Sequence, residues 1–127
     1  MSEKYLKGVA IVYGQPTNIG GMFYEIIADG ACSKTLRESK SIRALAQHDG
    51  TALLADTFNA TLKLEERPDG LHFSIQVPDT TLGNDIHTLV RRGDLRGMSF
   101  AFRAVKEEWM ESKEFDLPIR VVKELNL

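Results

Sequence analysis

Residues 71–77 (LHFSIQV) alternate apolar and polar positions, with Leu71, Phe73, Ile75 and Val77 on one side. Residues 59–67 (NATLKLEER) do the same through Ala60, Leu62 and Leu64. A period of two marks a strand with one buried face, and Pro68-Asp69-Gly70 between the two runs supplies turn chemistry, so the pair predicts a β-hairpin. Upstream, YLKGVAIVY (5–13) predicts a first strand ended by Gly14, Gln15, Pro16 and Asn18. MFYEII (22–27) predicts a second strand closing at Asp29-Gly30, followed by a short helix over 31–38 that stops at Ser39 to Ser41. Residues 42–47 lead into His48-Asp49-Gly50, where Asp-Gly reads as a turn. Pro78-Asp79-Thr80-Thr81 offers a cap to a helix over 82–92 with Leu82, Ile86, Leu89 and Val90 on one face, and Gly93 suits its C-terminal left-handed position.

The run LRGMSFAFRAV (95–105) returns to strand alternation, placing Met98, Phe100 and Phe102 on one face and Ser99, Ala101 and Arg103 on the other. A polar stretch over 106–114 separates it from a last apolar strand, 119–127. Strands and helices do not alternate as a parallel α/β fold requires. The expectation is therefore a β-rich α+β fold, an antiparallel barrel or curled sheet flanked by helices. At 127 residues the chain reads as one domain over 1–127.

Charge narrows the partners. Sixteen basic against 18 acidic residues give a net charge of -2, with no dominant basic run, so no nucleic acid is expected. No membrane is expected either, since nowhere do about 18 apolar residues run together, and the start MSEKYLKG lacks a signal peptide's apolar run. A single cysteine, Cys32, rules out an intramolecular disulfide and suits a reducing cytoplasm.

Serine-based hydrolysis needs a hydroxyl, a base, a group that orients the base and donors for the oxyanion. Ser99 and His48 could supply the first two. The plainer reading makes His48 a solvated turn residue and Ser99 a small residue on a strand's polar face. Gly97 lies two residues before Ser99, where glycine admits close backbone approach, or where it marks a bulge. GMSF lacks the G-x-S-x-G elbow, which argues against an α/β-hydrolase. Cys32 with His48 is a second conceivable pair, against the reading of Cys32 as a small buried residue. His48, His72 and His87 lack metal-ligand spacing, so neither metal nor cofactor is expected. Trp109 reads as a residue at the rim of the core, or as a partner-binding aromatic.

The order GVAIVYG, YEIIADGACSKTL, LAQHDG, DGLHFSIQVPDT, LVRRGDLRGMSFAF and EEW resembles the prohead maturation proteases of tailed bacteriophages. That resemblance implies His48 as general base and Ser99 as nucleophile. It implies a fold similar to the herpesvirus assembly proteases, and a homo-oligomer by analogy. The activity implied is cleavage of major capsid protein or scaffold segments, and often of the protease itself, inside an assembling prohead in the bacterial cytoplasm. Family sequences normally continue past RVVKELNL, so the domain is expected to be shortened at its C-terminus. For the residue that orients His48, the expectation is Glu124, a carboxylate inside the last apolar strand. An acidic residue beyond Leu127 is the alternative, and Asp49 is disfavoured because the turn next to His48 engages it. A non-enzymatic β-rich capsid-assembly module is the rival from another class.

Overall fold

The structure, a computed structural model, describes residues 4–46, 49–95, 100–111 and 116–127. The alternating segments form strands as their pattern demands. β1 (Tyr5–Val12) is followed by a short β2 (Thr17–Ile19) and by β3 (Phe23–Ile27). Helix α1 (Ser33–Glu38) leads to β4 (Arg43–Leu45) and β5 (Leu53–Asp56), and the hairpin is β6 (Leu62–Arg67) with β7 (Gly70–Gln76). Helix α2 (Thr81–Arg92), β8 (Arg103–Met110) and β9 (Ile119–Asn126) complete the order.

The strands sort into three sheets, β1-β7-β6, β2-β3-β9-β8 and β4-β5. Barrel closure requires every edge to find a partner. Among the described residues β1, β6, β2 and β8 each keep one unpaired side, so the barrel expectation gives way to separate, packed sheets. The second sheet is mixed: β9 pairs antiparallel with β8 but parallel with β3, with Tyr24 opposite Ile119 and Ile27 opposite Val122.

Two apolar clusters result. Ile11, Ile27, Ala31, Cys32, Leu71, Val122 and Leu125 pack where the first two sheets meet α1. Ala44, Ala46, Leu54, Leu62, Ile75 and Val77 pack beneath α2, and Leu64 touches both clusters. Bulges deliver some of these side chains. Val122 and Leu125 are three apart and would face opposite sides of a regular strand, yet both are buried, because the β8–β9 register shifts between Lys106 and Glu107. The register of β1 likewise shifts between Val9 and Ile11, and Ile11 lies inside.

Both helices form where expected, for different reasons. In α2 the Thr80 hydroxyl accepts a hydrogen bond from the Gly83 amide at 3.0 Å, and Gly93 takes the left-handed C-cap with φ of 85°. The six-residue α1 has no side-chain cap and is tied down by tertiary contacts. Its buried Thr35 donates to Asn126 Oδ1 at 3.2 Å and accepts from the Leu127 amide at 3.1 Å, while the Leu125 amide bonds Ala31 O.

The strand expected over 95–105 is corrected in part, residues 96–99 of it lying outside the described residues. Residues 100–102 lie outside any strand, and β8 starts at Arg103 and runs through the segment RAVKEEWM, most of which was expected as a polar stretch. As an edge strand exposed along most of its length, β8 is held by its ladder to β9 and needs no apolar face of its own. Ala60 leaves the hairpin strand with φ of 61°, after a 3-10 turn at Thr57–Asn59. Trp109 is half exposed, its ring edge-on to Phe23 with centroids 5.1 Å apart.

Leu125, 1% exposed, joins β9 to α1 and the first sheet. Leu125→Ala should lower unfolding free energy by about 2–5 kcal/mol. Urea unfolding followed by circular dichroism measures it, and a loss under about 0.5 kcal/mol, the range of a surface substitution, would show that β9 is not a core element.

Candidate functional site

Beside β1 and β4, Gly8, Ala10, Ala44, Ala46 and Ala101 carry at most a methyl group, and the Phe73 ring already takes the room next to Gly8, 3.1 Å from where a Cβ would stand. These residues line a cavity of about 700 Å³. Its floor is the inward face of the hairpin, Leu62, Leu64 and Phe73. One wall is α2 through Ile86 and Val90, and another is formed by Leu95 and Phe100.

His48 and Ser99 lie outside the described residues, as does Gly97. Their chain neighbours do not. Ala46, two residues before His48, and Phe100, directly after Ser99, line this same cavity.

The turn after His48 is held by Asp49. Its Oδ1 accepts from the Thr51 hydroxyl at 2.7 Å and the Thr51 amide at 2.9 Å, and these bonds hold its carboxyl below the ordinary aspartate range. That carboxylate serves its own turn. Glu124 lies on β9, half-buried between Lys123 and the buried Leu125, with Lys106 of β8 as its register partner. Arg103 opens β8 as an exposed strand residue.

The other histidines stay apart from the cavity lining: His72 Nε2 pairs with Asp69 at 2.8 Å and His87 sits in α2. Among the described residues no group of three or more His, Cys, Asp or Glu side chains is placed to hold a metal ion.

One polar cluster escaped the sequence reading. Glu66 accepts from the Tyr13 hydroxyl at 2.7 Å and the Ser33 hydroxyl at 2.5 Å, tying the end of β6 to β1 and α1. Leu62, Leu64 and Glu66 continue one inward phase, which was the available signal. Burial, with bonds to Cys32 and Glu66, pushes the Tyr13 phenol well above its ordinary range. Burial likewise raises the fully enclosed Cys32 thiol, against a smaller opposing effect of Tyr13.

A model of the caudovirus prohead serine protease family matches residues 1–127, the whole chain. No curated protein and no solved structure matches.

The buried thiol and phenol predict an alkaline limit to stability. Both folded-state pKa values are raised, so the fold keeps protons that the unfolded chain releases above about pH 8.5 for cysteine and about pH 10 for tyrosine. The stabilisation is complete below about pH 8.5 and is lost as pH rises beyond it. The urea midpoint should therefore hold steady from about pH 7 to 8.5 and fall above that, with Tyr13→Phe flattening the upper part of the fall. A midpoint constant to about pH 11 would contradict the burial of both groups.

Proposed function

The chain belongs to the caudovirus prohead serine protease family, and on that footing we propose that it is a serine endopeptidase cutting capsid-protein or scaffold segments during prohead maturation. Ser99 attacks the scissile carbonyl as His48 takes its proton. His48 then delivers that proton to the leaving amine, and water releases the acyl group from Ser99. Backbone N–H groups near the serine stabilise the oxyanion.

The observation that carries this reading is the family match over the full length. The shared cavity supports it, since the segments on either side of it abut the proposed base and nucleophile in sequence. Glu124 is the proposed orienting carboxylate, a half-buried acid on a central strand. The β-rich architecture with α2 packed against it is compatible with a herpesvirus assembly protease-like fold. No helix among the described residues is long and apolar enough to cross a membrane. The proposed place of action is the interior of the prohead in the host cytoplasm.

Ser99→Ala should abolish cleavage of the cognate capsid or scaffold protein while leaving unfolding free energy within about 0.5 kcal/mol of the parent, since loss of a hydroxyl leaves little void. A fluorophosphonate should label the parent stoichiometrically at Ser99 and leave the variant unlabelled. A folded parent that takes no label would favour a non-enzymatic assembly module.

Glu124→Gln should lower turnover by about a thousandfold or more with KM little changed, the signature of a group acting through the base. Near-normal turnover would assign the orienting role to another residue.

A further inference from the structure

The lining of the 700 Å³ cavity carries a message about what enters it. Its volume falls within the range of ligand-binding pockets rather than of packing defects, which seldom exceed a few water molecules. Among the described residues its walls are aliphatic or aromatic, apart from the side chains of Ser41, Lys7 and Arg43. No Asp or Glu side chain of a described residue lines it; Arg43 pairs with Asp56 at 3.4 Å, and Lys7 is exposed with its Nζ over the Tyr5 ring, 5.5 Å from the centroid.

Along one side runs β1, whose only pairing among the described residues is with β7. An open strand edge beside an apolar cavity is the arrangement by which proteins accept an extended peptide. The backbone adds to the sheet, and alternate side chains enter the cavity.

Resting on the protease reading above, we propose that this cavity is the substrate side-chain subsite, and that its occupant is an extended polypeptide segment presenting a bulky aliphatic residue flanked by an acidic one. The aliphatic side chain displaces water from the walls formed by Phe73, Ile86 and Val90, and the acidic neighbour meets the exposed Lys7 beside the Tyr5 ring. Continuity with the proposed centre comes from Ala46 and Phe100, which line the cavity beside His48 and Ser99 in sequence.

The experiment uses the full chain carrying Ser99→Ala, so that nothing is turned over, and short fluorescent peptides read by anisotropy. One peptide carries a central leucine flanked by glutamate. Its first twin replaces the leucine with serine, and its second replaces the glutamate with glutamine. The leucine peptide should bind at least tenfold more tightly than the serine twin, the factor expected from burying one leucyl side chain. Val90→Asp, at a partly exposed helix position, should remove most of that preference. Lys7→Glu should erase the advantage of glutamate over glutamine, an advantage that in the parent shrinks as salt rises.

Equal binding of leucine and serine peptides, or a preference that survives Val90→Asp in a folded protein, overturns the proposal. Fluorophosphonate labelling of the protein with Ser99 intact separates the two readings. Label taken up without peptide preference refutes the subsite alone. Preference without label refutes the protease while the binding site stands.

Discussion

The parallel pairing of β3 with β9 is the constraint on which the rest of the structure hangs. It joins residues 24–27 to residues 119–122, so the chain leaves the second sheet after β3, builds the rest of the other two sheets and α2, and returns to it at β8 and β9. Parallel pairs are slightly weaker per residue than antiparallel ones and close long loops, so they persist only where other contacts secure them. Here the amide of Ala28 extends the ladder to Val122 O at 2.9 Å, and Thr35 pins the end of β9 to α1. Arg120, opposite Glu25 in the same register, also bonds Glu107, so one guanidinium spans β3, β9 and β8. Fully exposed ion pairs contribute little singly, but this half-buried arginine shared by two carboxylates ties the three strands to one another.

With β9 fixed at the centre of one sheet, the hairpin becomes the floor of the other. Leu64 touches both apolar clusters, so the two halves of the core communicate through β6. The cavity lies on the side of that floor where β1 and β4 carry glycine and alanine, and there the sheets fail to close on each other. A closed barrel would have given every edge a partner, whereas among the described residues β1 keeps an open edge alongside this concavity.

What was legible in the sequence was what is local. The hairpin could be read because its two strands are joined by a short turn and alternate in phase, and α2 because Thr80 and Gly93 mark its ends with chemistry that needs no tertiary context. β2 and β5, three and four residues long, offer too few positions for a period to show. β8 was hidden because an exposed edge strand has no buried face to impose alternation, and the bulges in its ladder scramble what pattern remains. The β3–β9 pairing has no sequence signature at all, since periodicity says which face is buried but not which strand lies alongside. At the candidate site, the engagement of Asp49 in its turn was readable from Asp-Gly, whereas the meeting of Ala46 and Phe100 at one cavity depends wholly on long-range packing.

The fate of Cys32 bears on the chemistry open to this chain. A cysteine nucleophile acts as thiolate, and thiolate forms where the group is partly exposed and near positive charge. Cys32 is fully enclosed, its thiol raised first by burial and then by the carboxylate of Glu66, which disfavours a second negative charge nearby. The phenol of Tyr13 opposes that rise without reversing it, so the protonated form prevails, and a fully enclosed sulfur admits no substrate carbonyl. The chain has no other cysteine, so thiol-based cleavage has no residue to run on. An inert thiol leaves the proposed hydroxyl nucleophile without a cysteine rival, in keeping with the serine protease family to which the whole chain belongs. The buried thiol is a packing element of the β1–α1–β9 junction, and its inertness is a consequence of the same burial that holds that junction together.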